Sequence, residues 1–193
     1  MASYRSFREL TDREVEGQDY RIRIEWRDPR VLIMAPHGGK IESTTATIAE
    51  AIAGVDFSFY TFEGLKAGGN ILLHIESHLF DEPQALQAVD QADVVVTVHG
   101  QMDQKHEFVM AGGLHTHLRL EIERQLESGG FKTRAPTGGL MGTDPRNICN
   151  RGRSRQGAQL EVSRGVRDLL KNDRDRLHVF AEAVRRAIQM KGW

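Results

Sequence analysis

The chain has 193 residues, of which 39% are hydrophobic and 27% are charged, and a chain of this length can bury a full hydrophobic core. The Lys and Arg residues number 26 and the Asp and Glu residues 27, giving a net charge of -1 at pH 7. This balance argues against the broad basic surface of nucleic-acid-binding proteins. The single cysteine excludes an internal disulfide framework.

The organisation of the chain predicts one domain in a reducing compartment. No internal repeat or linker-like change of composition divides residues 1–193, so we expect a single domain. The first residues, MASYRSFRELTDREVEG, lack the apolar core of a secretory signal, and no stretch reaches the roughly 18 apolar residues that a membrane span needs. We therefore expect a cytoplasmic protein that binds neither membrane nor nucleic acid.

Strands and helices alternate along the predicted structure. Apolar or alternating runs predict strands, and amphipathic runs with capping residues at their ends predict helices. In chain order we predict strands 20–26 and 31–35, helix 44–53, strands 57–62 and 71–77, helix 83–89, strands 92–100 and 108–111, helix 114–126, strand 131–134, loop 136–157, strand 159–162, and helices 163–170 and 174–190. This order predicts an α/β fold of three layers, α/β/α, around a mixed, mainly parallel sheet.

Two histidines follow the two most apolar predicted strands, and a glycine follows each histidine. His37 comes after VLIMAP, His99 comes after VVVTV, and Glu42 lies just before the next helix. Functional side chains gather beyond the carboxyl ends of parallel strands, so these three would converge if the strands are neighbours. Two His and one carboxylate commonly bind catalytic zinc. The alternative is that they belong to ordinary strand-to-helix turns, where Glu42 would be favourable without a metal.

A further carboxylate and a histidine-rich segment lie near this candidate site. Glu161, in QLEVS, is either an exposed strand carboxylate or, beside a metal, the general base. In LHIESH, a strand would place His74, Glu76 and His78 on one face. We predict that these side chains make polar contacts at the rim of the candidate site, and that His78 binds substrate. The alternative is that they form a second metal site.

Arginines are concentrated in the long loop that precedes Glu161. The loop contains Arg146, Asn147, Asn150, Arg151, Arg153 and Arg155. Most charge-rich loops are only solvated surfaces, but guanidinium groups bind carboxylates in a bidentate manner. An anionic substrate beside the metal would account for the cluster, and we predict that Arg153 contributes to binding it.

Five sequence blocks, taken in order, resemble one known family. They are APHGGKIE, LHIESHLFDEP, VVVTVHG, NICNRG and GAQLEVSRGVR. Together they resemble the poly-γ-glutamate hydrolase family of bacteriophages and bacterial genomes, over about residues 31–167. The resemblance implies a compact relative of the zinc carboxypeptidases, with an α/β sheet and one catalytic Zn²⁺. It also implies cleavage of the γ-glutamyl amide bonds of an anionic glutamyl polymer.

The resemblance assigns roles to individual residues. It implies that Zn²⁺ is held by the three residues of the candidate site, His37, Glu42 and His99. It makes Glu161 the general base, which takes a proton from water and delivers it to the leaving amine. It relates Asn150 and Arg151 to the Asn-Arg pair that binds a substrate carboxylate in zinc carboxypeptidases, although here the pair follows the second histidine instead of preceding it.

Two alternatives to γ-glutamyl cleavage stay open at this point. A zinc amidohydrolase of small N-acyl amino acids would use the same groups and would prefer short substrates to the polymer. A non-catalytic or replication-associated module would lack zinc, or would bind nucleic acid with an affinity that falls steeply with salt. The absence of a secretory signal leaves two further alternatives for an enzyme of an extracellular polymer: phage lysis releases it, or its natural substrate is intracellular.

Overall fold

The structure is a computed structural model that describes residues 4–190. Its helices are α1 (Phe7–Thr11), α2 (Thr45–Ala53), α3 (Pro83–Gln91), α4 (Thr116–Ser128), α5 (Arg164–Asn172) and α6 (Arg174–Gln189). Its strands are β1 (Tyr20–Glu25), β2 (Asp28–Gly39), β3 (Phe57–Gly64), β4 (Val94–Gln101), β5 (Val109–Gly112) and β6 (Ala158–Ser163). Short 3₁₀ helices occupy Asn70–Leu73, Gly138–Met141 and Ile148–Arg151.

The strands form one mixed sheet in the order β1-β3-β2-β4-β6-β5. The four inner strands β3, β2, β4 and β6 are parallel, and the edge strands β1 and β5 are antiparallel to their neighbours. The two most apolar strands, β2 and β4, therefore lie side by side in the middle of the sheet. Strand β6 pairs with the other side of β4 in a register that places His99 opposite Glu161.

Helices cover both faces of this sheet. On one face, α2, α4, α5 and α6 pack over alternate strand residues such as Ile33, Val96 and Leu160. On the other face, α1 and α3 pack over the intervening residues, among them Leu32 and Val95. Burial on both faces explains why β2 and β4 are continuous apolar runs instead of alternating ones. The predicted three-layer α/β/α architecture with a mainly parallel sheet is confirmed.

Strand β2 extends beyond residue 35, where the apolar run ends, and it includes His37. Its pairing with β3 shifts register between Ala35 and Gly38. Pro36 lies within this irregular segment, which is where a central strand tolerates a residue without a backbone N–H. His37 is therefore held by a bulged strand and is not the first residue of a loose turn.

Two predicted strands do not form in the described part of the chain. Residues 71–77 begin in a 3₁₀ helix, and the alternate burial of Leu73 and Ile75 comes from packing under the sheet, not from strand pairing. Residues 131–134 contribute only an isolated bridge between Thr133 and Val109. Within residues 4–190, no helix combines the length and apolar character needed to cross a bilayer.

Candidate metal centre

The turn after β2 folds Glu42 back towards His37. Gly39 has a φ of +63°, and a Cβ at Gly38 would collide with Oγ1 of Thr61, so the turn requires glycine at both positions. The Glu42 N–H donates to the His37 carbonyl over 2.9 Å. This backbone bond closes the turn and directs the Glu42 carboxylate towards the end of β4.

The side chains of His37, Glu42 and His99 converge at the carboxyl edge of the sheet. His37 Nδ1 lies 3.3 Å from Glu42 Oε1 and 3.1 Å from His99 Nδ1. Glu42 Oε2 lies 3.9 Å from His99 Nδ1 and accepts a 2.7 Å hydrogen bond from the Gly100 N–H. One potential ligand atom from each of the three residues lies within 4.8 Å of the others.

The hydrogen bonds of His37 leave its Nδ1 available to a metal. Its Nε2 lies 2.8 Å from the Ile75 carbonyl oxygen, and because a carbonyl only accepts, Nε2 carries the proton. In the neutral ring, Nδ1 then presents a lone pair to Glu42 and His99. A backbone carbonyl on the opposite nitrogen is how proteins commonly orient metal-binding histidines. The set of two imidazoles and one carboxylate fits zinc.

Burial and neighbouring charges shift the pKa values of the cluster. Burial opposes ionisation of Glu42, but His37, His99 and the Gly100 N–H together lower the pKa of Glu42 to about 2. Burial and then His37 lower the pKa of His99 to about 3. Burial alone would lower the pKa of His37, but Glu42 raises it. Glu42 is thus ionised and His99 neutral, which are the forms that bind a cation.

His74, from the segment after the first 3₁₀ helix, completes the wall beside the cluster. Its ring packs on that of His37 at a centroid separation of 3.8 Å, and its Nε2 lies 3.8 Å from Glu42 Oε1. Burial and then His37 lower its pKa to about 4. His74 is therefore a neutral packing partner of the cluster.

Glu161 faces the same cavity, which has a volume of about 660 Å³. Burial and then the charge of Glu42 raise the pKa of Glu161 to about 8. Gln159 Nε2 donates to Glu161 Oε1 over 2.9 Å, and Gln159 Oε1 accepts from Asn147 Nδ2 over 2.8 Å. All three side chains are buried. This chain of amides holds the carboxylate in one orientation.

Gln159 and Asn147 were not predicted as site residues. For Gln159 a signal was available, because residues two apart on a strand share a face and Gln159 precedes Glu161 by two. Asn147 reaches the cavity through the course of the loop between α4 and β6, and no local pattern indicates that contact.

Of the four residues predicted to bind substrate, His78 lines the cavity and the other three do not. Asn150 donates through Nδ2 to two loop carbonyls at 2.7 and 2.9 Å. Arg151 and Arg153 each donate to a backbone carbonyl on the side of α3. These three side chains organise the loop and bind it to its neighbours, so the arginine cluster lies outside the cavity.

A buried arginine that the sequence analysis did not single out packs against the end of β4. Arg167 donates to the carbonyl oxygens of Ser43, Gln101 and Val162, at 2.7, 3.1 and 3.1 Å. Its Cζ would lie 2.8 Å from a Cβ at Gly100. The glycine after His99 therefore makes room for a guanidinium that joins β4, β6 and the turn carrying Glu42.

Replacing Gly100 with alanine is expected to lower the free energy of unfolding by about 1–3 kcal/mol, because the added methyl would overpack the site against Arg167. The matched control is Gly68→Ala, where nothing lies within 4 Å of the added Cβ, and a change within about 0.5 kcal/mol is expected. Chemical denaturation measures both. Equal stability of the two variants would contradict the packing described for Gly100.

The fold and the cluster define a class: a three-layer α/β protein of zinc carboxypeptidase-like fold with a His-Glu-His cluster at the carboxyl edge of its sheet. At the level of fold alone, the chain resembles N-formylglutamate amidohydrolase from Ralstonia eutropha JMP134, with a TM-score of 0.55 at 10% identity, covering 90% of this chain and 98% of that one.

The particular family follows from closer matches. The model of the poly-gamma-glutamate hydrolase family matches residues 4–183, and the chain belongs to this family. A bacteriophage poly-gamma-glutamate hydrolase is 32% identical with a TM-score of 0.93, covering 99% of this chain and 98% of that one. A zinc-free apo structure of YndL is 29% identical with a TM-score of 0.92, covering 100% of this chain and 100% of the chain in that structure.

Two proteins of Bacillus subtilis (strain 168) are similar over part of their length. The SPbeta prophage-derived protein YoqZ is 36% identical over 162 residues, which are 83% of this chain and 58% of YoqZ. YndL is 33% identical over 173 residues, which are 86% of this chain and 66% of YndL. The chain therefore spans less than two thirds of each of these relatives.

Proposed function

We propose that the protein is a zinc-dependent hydrolase of γ-glutamyl amide bonds. The observation that carries this proposal is the convergence of His37, Glu42, His99 and Glu161 in one cavity. The bacteriophage relative is a poly-gamma-glutamate hydrolase, which supports the choice of substrate. The zinc-free form of YndL supports zinc as the metal.

His37, Glu42 and His99 would hold the metal in this proposal. Bound zinc would polarise an amide carbonyl, acidify water and favour the ionised form of the nearby Glu161. Glu161 is the group that moves the proton: it accepts one from water and returns it to the amine that leaves.

The amides behind Glu161 keep it in place for this transfer. Gln159 is a positioning residue, because it bonds Glu161 on one side and Asn147 on the other. Its donor also reaches the Leu140 carbonyl at 3.2 Å, which joins the carboxylate to the loop over the cavity. The cavity is open and lined by His78, Gln101 and Thr143 among others, so an extended anionic chain can enter from the solvent.

The experiment for this proposal is hydrolysis of three substrates by metal-free and zinc-loaded protein. We expect zinc-loaded protein to shorten poly-γ-glutamate, and to leave α-linked polyglutamate and N-acetylglutamate intact. Chain length is followed by size-exclusion chromatography and new amino groups by derivatisation. Cleavage that persists in a chelator would contradict the role of zinc. Preference for N-acetylglutamate would favour the small-substrate amidohydrolase instead.

Replacing Gln159 with leucine is expected to lower kcat about tenfold or more while KM and zinc content stay unchanged, because a misplaced Glu161 impairs the proton transfer and not the binding. The control is Gln87→Leu on the exposed surface of α3, which should leave kcat as in the unmodified protein. Steady-state kinetics and metal analysis make the comparison. An unchanged kcat in Gln159→Leu would contradict the proposed role of Gln159 in positioning Glu161.

A further inference from the structure

A second cavity of about 320 Å³ adjoins the metal cavity. The two share a wall made of Glu42, His74, Glu76, Gly100 and Met102. A ligand that occupies the first cavity can therefore extend into the second past the end of β4. The second cavity lies on the side of α5, opposite the loop that carries Asn147.

The charges of the two cavities differ. The side chains lining the metal cavity include no Lys or Arg among the described residues. The second cavity is lined by Arg164 and Arg167, from the first two turns of α5. The two arginines are therefore the groups along this groove that carry a positive charge at any pH near neutrality.

Arg167 forms the inner part of this cationic wall. It is 4% exposed, and its three guanidinium nitrogens each donate a hydrogen bond to a backbone carbonyl. No carboxylate of residues 4–190 lies within ion-pair distance of it. Glu42 is the carboxylate whose charge most favours the ionised form of this buried guanidinium. In the proposed function Glu42 holds the metal, which leaves the positive charge of Arg167 for a bound anion to complement.

Arg164 forms the outer part of the wall. Its side chain is 38% exposed and bonds Asp168 through Nε over 2.8 Å. The same cavity has apolar lining from Ile41, Ile71 and Met102. The wall that this cavity shares with the metal cavity also carries the carboxylates of Glu42 and Glu76. In the proposed function Glu42 holds the metal, so the side of the cavity formed by α5 and the apolar residues suits a carboxylate attached to a few methylene groups.

We infer that the second cavity is a subsite for the carboxylate of the glutamyl residue next to the bond held in the metal cavity, with Arg164 and Arg167 as its cationic wall. This inference rests on the proposed function and specifies it further. It replaces the arginines of the loop at 146–155 as the group that recognises the anionic substrate. Arg164 contacts the carboxylate at the mouth of the second cavity, and Arg167 contributes the positive charge of its buried guanidinium at the inner end.

Binding, not turnover, tests the subsite. The probe is γ-linked triglutamate, titrated calorimetrically into zinc-loaded protein carrying Glu161→Gln, which cannot complete the reaction. Adding Arg164→Gln to this protein is expected to weaken the affinity for triglutamate about tenfold. This is near the lower end of the range for hydrogen bonds to charged groups, because Arg164 is partly exposed to solvent. Arg164→Lys should recover much of the affinity, since it keeps the charge.

Two controls separate recognition of charge from a structural effect. Arg124→Gln removes an exposed arginine of α4 that pairs with Glu121 and should leave the affinity unchanged. The methyl-esterified triglutamate lacks the carboxylates, so Arg164→Gln should not alter its binding. Equal loss of affinity for the ester and the acid would overturn the inference. So would an unchanged affinity for the acid, or no measurable binding of the acid by the Glu161→Gln protein.

The proposed function has its own, separate outcome. Zinc-dependent cleavage of poly-γ-glutamate by the unmodified chain tests the reaction, whereas the titration tests the subsite. Cleavage together with an affinity that Arg164→Gln leaves intact would overturn the subsite alone. A charge-dependent loss of affinity without any cleavage would support the subsite and contradict the reaction.

Discussion

Replacing Glu161 with glutamine is expected to lower kcat for poly-γ-glutamate by about 100-fold or more, while the protein retains stoichiometric zinc. The amide has nearly the same size and can still bond Gln159, but it cannot accept a proton, and general base catalysis commonly contributes this much. Steady-state kinetics and metal analysis on the same preparation measure the two quantities. The thermal stability of the metal-free variant should not fall, because burial disfavours the charge that is removed.

The control for this variant is Glu16→Gln, an exposed carboxylate before β1 that lines neither cavity. Because it lies outside both cavities, its replacement should leave kcat close to that of the unmodified protein. Turnover by Glu161→Gln at the same rate as Glu16→Gln would show that another group moves the proton.

Replacing His99 with alanine is expected to abolish the stabilisation that zinc gives. At a free zinc concentration of 100 times the Kd, binding to the native state adds about 2.7 kcal/mol, which is a rise in Tm of roughly 5–10 °C for a chain of this size. The unmodified protein should show this rise, and His99→Ala should not. Differential scanning calorimetry with and without zinc measures the shift within each variant, so the loss of packing at residue 99 cancels.

A histidine remote from the site provides the comparison. His178 is exposed on α6, and His178→Ala should keep the full zinc-dependent shift. If His99→Ala kept the same shift, or bound stoichiometric zinc by metal analysis, the metal would be held elsewhere.

The central part of the fold was predictable because its signals are local. The apolar runs of β2 and β4 indicate strands buried on both faces, and the alternation with amphipathic helices indicates layers. Parallel neighbours bring their carboxyl ends to the same edge, so His37 and His99 were expected to meet if β2 and β4 paired. The pairing itself is a long-range property, and the structure shows it.

Other parts were not predictable, for physical reasons that differ from case to case. The alternate burial in residues 71–77 looks the same whether the chain pairs in a sheet or packs beneath one. The arginines at 146–155 are dense in sequence, but whether a loop side chain faces a cavity depends on its hydrogen bonds to distant carbonyls, such as that of Arg151 to Phe80. Arg167 lies in the helix that follows Glu161, where its neighbours gave no indication of burial.

His99 and Glu161 are opposite each other on the paired strands β4 and β6, whereas much of the wall of each cavity comes from other elements. Neighbouring strands are spaced by about 4.8 Å through their ladder of hydrogen bonds, so the distance between a proposed ligand and the proposed base is a property of the sheet. The walls that would meet the substrate come from the loop around Gly138–Met141 and from α5. If the proposed function holds, changes in those walls would alter the polymer that is accepted, or the place at which it is cut, without disturbing the distance between His99 and Glu161.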